Sequence, residues 1–248
     1  MMVIMFGGKA RVGKTTLAKL FTEYLYNKGY SPVIVPFADV LKREVEKTGL
    51  TKEANPEQYR LACQVLGSGM RKNNPDFWVN KFEERLNEIK IQDIENLETN
   101  PKKWHEKCVL VDDCRYLNEV NFGRKIGALQ VFVAHGKRVV SEHDAPWRNH
   151  ESEDMANKIE SSNMNYTEMF HYRLFNEGTE KEFKTKATNY FEDWLNYMKS
   201  DDKVLCDCLG CMKTRYDIAL TLGDLEQILD KAHKKLAEED DEDLEDIL

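Results

Sequence analysis

The chain has 248 residues, 41% of them hydrophobic, and a formal net charge of −8. That length suits one α/β domain with additions, or at most two small domains, and the hydrophobic share is enough for a real core. The acidic balance comes from the end: residues 238–248, EEDDEDLEDIL, hold eight acidic residues and no basic one, and without them the charges match at 36 each. A neutral body argues against a strong generic nucleic-acid footprint, and no apolar run is long enough to span a bilayer.

Residues 2–6, MVIMF, read as a buried strand. The apolar start lacks the basic flank and small-residue cleavage site of a signal peptide, so a cytoplasmic protein with free thiols is expected. Directly after the strand comes GGKARVGKTTLAKL, in which Gly8, Gly13, Lys14 and Thr15 fit G-x-x-x-x-G-K-[ST]. The glycines let the backbone curl so that successive N–H groups face one spot, and the helix that follows adds its positive end. Such a loop cradles the phosphates of a nucleoside triphosphate. Gly8, Lys9, Ala10, Arg11, Val12, Gly13, Lys14, Thr15 and Thr16 form the expected ATP site, with Lys14 on the β- and γ-phosphates and Thr15 offering its hydroxyl to Mg2+.

A second strand is predicted over 32–37 and a mostly helical region over 39–105. The third strand, from Cys108, ends in VLVDDCR. An acid at a strand's carboxyl end beside such a loop orders the magnesium shell, partly through water. Asp112 and Asp113 compete for that role. Arg115 sits where ligands bind in open α/β sheets, with a surface salt bridge to Glu119 as the plainer alternative.

A fourth strand is expected over 129–133 and a fifth over 172–175. Between them, 136–171 is polar and too long for a tight connection. Its segment 137–153, KRVVSEHDAPWRNHESE, reads as a lid that brings Arg138 and Arg148 onto the transferring phosphates, or else as a solvated helix of balanced charge. The spacing of His143 and His150 fits no zinc pattern. An amphipathic helix over 180–199 closes the domain, with Phe183, Tyr190, Phe191 and Trp194 on its apolar side.

The expected fold is therefore a three-layer α/β sandwich of the phosphate-loop type, with a mainly parallel sheet of about five strands. The domain spans 1–199, with 39–105 covering the acceptor and 136–171 forming the lid. Residues 200–248 read as an appendage: a Cys-bearing linker, a short helix over 218–236 and an acidic tail too poor in apolar residues to pack. Cys206, Cys208 and Cys211 are three thiols within six residues, one ligand short of a zinc site, so free thiols are expected.

Taken together, these blocks resemble those of the phage-type deoxynucleoside monophosphate kinases. The resemblance covers most of 1–195. It rests on GGKARVGKTT, PFADVLK at 36–42, LGSGMRKNNPDFWVNKF at 66–82 and VDDCRYLNEV at 111–120, and is extended by HESE at 150–153 and LFNEGTEKEF at 174–183. The order of the blocks carries more than any one of them. Two departures stand out: many relatives carry Asp directly after the loop lysine, where this chain has Thr15, and one acid before the arginine, where this chain has Asp112 and Asp113, of which the family's spacing to Arg115 favours Asp113 for magnesium.

The resemblance implies transfer of the γ-phosphoryl group of ATP to a deoxynucleoside monophosphate, with Mg2+. It implies that Asp39 and Lys42 face the acceptor, although Asp39 could simply cap a helix beginning at Val40. Arg71 is the first choice to clamp the acceptor phosphate. Trp78 would stack on the base, or else belong to the core with Val79 and Phe82. The other readings are a different small phosphate-loop kinase, such as a thymidylate or dephospho-coenzyme A kinase, and a nucleotide-gated binding protein whose acidic tail docks a partner. The expected partners are small-molecule nucleotides, in the host cytoplasm if the protein is viral. A homodimer is compatible with the sequence, and a membrane is not expected.

Overall fold

The computed structural model describes residues 1–135, 151–161 and 169–199. The expectations for Arg138, Arg148, the two histidines, the cysteines at 206–211, the helix over 218–236 and the acidic tail lie outside these residues.

Five parallel strands, β1 (Met2–Gly7), β2 (Ser31–Ile34), β3 (Lys107–Cys114), β4 (Leu129–His135) and β5 (Tyr172–Asn176), form one sheet in the order β2-β3-β1-β4-β5. Every pairing is parallel, with Ile4 opposite Leu110 on one side and Leu129 on the other. Short apolar runs form such strands because both faces are covered.

The two-residue alternation sorts their side chains into two cores. Ile4, Phe6, Cys108, Leu110, Val131 and Leu174 pack with α1 (Lys14–Asn27), α7 (Glu180–Thr188) and α8 (Phe191–Lys199). Val3, Met5, Val109, Val111 and Phe132 pack on the opposite face with α4 (Phe77–Thr99), α5 (Leu117–Lys125) and α6 (Asp154–Glu160). A third cluster joins α2 (Asp39–Glu46), α3 (Pro56–Asn73) and the start of α4 through Leu41, Val45, Tyr59 and Trp78.

β1, β4 and β5 run one or two residues past the sequence reading, and two larger departures have a local cause. β2 stops at Ile34, because one further bond, Val35 N–H to Leu110 O at 2.9 Å, is followed by Pro36, which has no donor. The closing helix is two helices, α7 and α8, separated by a turn in which Tyr190 N–H donates to Ala187 O. Among the described residues no helix is long and apolar enough to cross a membrane. The cysteines described, Cys63, Cys108 and Cys114, are free thiols.

This topology places the site. The connection leaving β1 runs to α1 on one face, while that leaving its neighbour β3 runs to α5 on the other. The carboxyl ends of β1 and β3 therefore flank a crevice, the usual ligand position in an open α/β sheet.

Candidate functional site

The loop after β1 turns sharply at Gly8, with φ of 131°; a Cβ there would lie 2.1 Å from Val133 O, so only glycine fits. Arg11 takes a left-handed φ of 63°, and Gly13 a φ of 100° just before α1. Asn176, at the end of β5, donates from Nδ2 to Val12 O at 2.9 Å and holds the loop's far side. Lys14 is 5% exposed, and its Nζ donates to Gly8 O at 2.7 Å and Lys9 O at 2.6 Å. Burial, and then the charge of Arg115, lower its pKa to about 7. A phosphate at the loop would act in the opposite direction, favouring the ammonium form.

The Asp doublet divides at a register shift, where Met5 lies opposite Val111 and Gly7 opposite Cys114. Asp112 follows Leu110 on the α1 side, and its Oδ2 accepts the Thr15 hydroxyl at 2.6 Å. Asp113 faces the other way and accepts Phe37 N–H at 2.8 Å and Ala38 N–H at 3.1 Å, with Lys42 Nζ at 3.9 Å. The spacing argument favoured Asp113 for the magnesium shell, but the geometry puts Asp112 beside Thr15 and gives Asp113 the task of tying the PFADVLK segment to β3. A hydroxyl and a carboxylate at this separation are hard oxygen donors that suit Mg2+.

Two other distant blocks meet at the crevice. Arg71, in the last turn of α3, lies over the Tyr116 ring, with its guanidinium carbon 3.8 Å from the ring centroid and Nη2 3.9 Å from Glu119 Oε1. Asn118 Nδ2 donates to Pro75 O and Asp76 Oδ1, both at 2.9 Å. Glu119 is 3% exposed, and its Oε2 accepts Arg115 N–H at 2.6 Å and Tyr116 N–H at 3.0 Å at the start of α5. Burial, and then the nearby Asp113 charge, push its carboxyl up to about 7.

Arg115 departs from its plainer reading. Only its backbone binds Glu119; its guanidinium Nη1 reaches Glu153 Oε1 at 2.8 Å. Burial, and then the charges of Arg115 and Arg11, lower the pKa of Arg60 in α3. Lys9 pairs with Glu160 of α6.

Trp78 is a correction. It is 3% exposed, its Nε1–H donates to Gly67 O at 3.1 Å, and it packs edge-on to Phe77 in the α2–α3–α4 cluster. A ring so enclosed cannot stack on a base. Asp39 does not cap its helix either: α2 begins at Asp39 itself, and its carboxylate pairs with Arg43 one turn on.

Sequence reasoning missed two carboxylates. Glu153, 2% exposed, lies in the 3₁₀ turn Glu151–Glu153 and accepts Ala10 N–H at 2.9 Å through Oε2. In the same turn Glu151 Oε1 accepts the hydroxyls of Ser68 at 2.9 Å and Tyr116 at 3.4 Å. The HESE block at 150–153 was the available signal, but nothing local says that its last carboxylate reaches the phosphate loop. Among the described residues no group of three or more His, Cys, Asp or Glu side chains is placed to hold a metal on its own.

No protein-family profile matches the chain, and no curated protein matches it. Among solved structures it is similar to shikimate kinase from Acinetobacter baumannii in complex with shikimate, at 15% identity and a TM-score of 0.38, over 81% of this chain and 96% of that one. It is also similar to dephospho-CoA kinase from Campylobacter jejuni, at 14% identity and a TM-score of 0.42, over 77% of this chain and 96% of that one.

Proposed function

We propose that this chain transfers the γ-phosphoryl group of ATP to a deoxynucleoside monophosphate, giving the diphosphate and ADP. The observation that carries the kinase reading is the convergence at one crevice of a phosphate loop, a Thr15–Asp112 pair and the arginines 60, 71 and 115. The deoxynucleotide acceptor is supported by the order of the sequence blocks, whose side chains meet there: Arg71 with Tyr116, and Asn118 with Pro75 and Asp76.

In this reading the N–H groups of the loop and the start of α1 hold the donor phosphates. Lys14 turns from its two carbonyls to the β- and γ-phosphates. Thr15 and Asp112 would hold Mg2+, which when bound would neutralise charge developing on the donor phosphates. Arg71, held flat by Tyr116 and Glu119, grips the acceptor phosphate through two parallel hydrogen bonds. Arg115, from the acceptor side, adds its charge to the transferring phosphoryl group. No covalent intermediate is required: positioning and charge neutralisation suffice for in-line transfer.

The test is ADP formation from ATP and magnesium across a panel of deoxy- and ribonucleoside monophosphates. Turnover that requires a deoxynucleoside monophosphate supports the proposal. Tight ATP binding with no acceptor-dependent ADP release replaces it with a nucleotide-gated binding protein.

A further inference from the structure

The loop that should receive phosphate already holds an anion of the chain's own. Both oxygens of the buried Glu153 carboxylate are engaged, Oε2 by Ala10 N–H and Oε1 by Arg115 Nη1. Lys14 and Arg60 also feel its charge. A carboxylate that takes one loop amide and one guanidinium presents the same pair of oxygens that a phosphoryl group would offer.

We infer that Glu153 is a resident counter-anion of the phosphate loop, which yields Ala10 N–H and Arg115 to a terminal phosphoryl oxygen when triphosphate enters. The claim deepens the proposed function and rests on its assignment of ATP to this loop. Three features place the exchange at the terminal phosphate. Ala10 lies in the first half of the loop, away from the amides that open α1. Lys14 Nζ, which serves the β- and γ-phosphates, sits on the carbonyls of Gly8 and Lys9, just before Ala10. Arg115 and Arg60 come from the acceptor side of the crevice.

The exchange has a consequence across the site. Two like charges cannot share the Ala10–Arg115 cleft, so donor binding must move Glu153. Glu151, in the same turn, holds Ser68 of α3 and Tyr116, the ring under Arg71. Moving one carboxylate therefore loosens the other from the acceptor segment, and donor arrival is felt at the acceptor clamp.

The test is isothermal titration of the full chain with ATP and with ADP, each with magnesium and no acceptor, alongside ligand-free thermal melts, for wild type, Glu153→Gln and Glu153→Asp. Glu153→Gln keeps an acceptor oxygen but removes the competing charge. Its ligand-free melting point should fall while its ATP affinity rises about tenfold, with ADP affinity changed less than about threefold. Glu153→Asp, too short to reach both partners, should move ATP affinity in the same direction by less, and it decides the matter if the glutamine variant does not fold. Weaker ATP binding in these variants, or unchanged affinity, overturns the inference and leaves the proposed function standing. Equal tightening for ADP and ATP overturns the placement at the terminal phosphate. A wild-type chain that binds no ATP overturns the proposed function and the exchange together.

Discussion

Arg71 is the residue on which the acceptor assignment turns. Its guanidinium lies flat against Tyr116 and faces the buried Glu119, so its orientation is fixed before any ligand arrives. Lysine keeps the charge but loses both the planar stacking and the two-pronged grip. Arg71→Lys should raise the acceptor's KM and lower kcat, with ATP's KM little changed. Losing charge-assisted bonds of this kind costs about 1.5–3 kcal/mol, or roughly 10- to 150-fold in kcat/KM. Steady-state kinetics with each substrate varied in turn decides it, and an effect confined to ATP would move Arg71 to the donor side. Glu119, its neighbour, makes a pH prediction. Its carboxyl is raised from an ordinary 4.5 to about 7. Between those values the unfolded chain is ionised while the native one holds the proton, so this group's contribution to stability falls as pH rises through that window. In paired denaturant titrations, the stability of wild type relative to Glu119→Gln should decline from pH 5 to pH 7. A relative stability that climbs instead would mean that Glu119 is ionised in the fold and held by Arg71 and the two amides. Trp78 shows how far residue type leads. An aromatic ring in this segment suggests stacking, but Trp78 is buried with Leu41, Val45 and Tyr59, while Val79 and Phe82 pack on the sheet.

At the scale of elements, β3 holds the clearest lesson. Its last acids lie at a register shift, where the step from Met5 to Gly7 in β1 faces the longer step from Val111 to Cys114 in β3. Asp112 accepts the Thr15 hydroxyl at the start of α1, whereas Asp113 accepts the Phe37 and Ala38 N–H groups. That division was not legible in VLVDDC, because the alternation does not run through the shift: Cys114 packs on the same face as Val111. Asp112→Asn should raise the magnesium concentration for half-maximal activity about tenfold or more while leaving thermal stability nearly unchanged. Asp113→Asn should do the reverse, losing about 1–2 kcal/mol of stability because one carboxylate serves two backbone N–H groups. If the magnesium requirement shifts only in the second variant, the metal belongs to Asp113. The break between α7 and α8 had no such signal, since Phe183, Ala187, Phe191, Trp194 and Met198 keep one helical period straight through it. The end of β2 was readable from Pro36 alone.

For the molecule as a whole, the five strands and the loop followed from short apolar runs and glycine spacing, because both are local properties. Strand order was not, since parallel neighbours are joined by long crossovers and β3 enters between β2 and β1 only after some seventy residues of helix and loop. The site divides the same way. The loop, the Asp doublet and Arg115 sit within a few residues of strand ends and could be named, whereas Glu153 reaches Ala10 across 143 positions. What remains central is that a phosphoryl group crosses the crevice between the loop and Arg71. The most direct measurement supplies ATP labelled in its γ-phosphate with a deoxynucleoside monophosphate and magnesium, and separates the products of wild type and Lys14→Ala. Label in the β-position of the new diphosphate, formed only with acceptor present and abolished in Lys14→Ala, is the predicted result. Label released only as inorganic phosphate at a rate indifferent to the acceptor, or transfer that persists within about tenfold in Lys14→Ala, would contradict it.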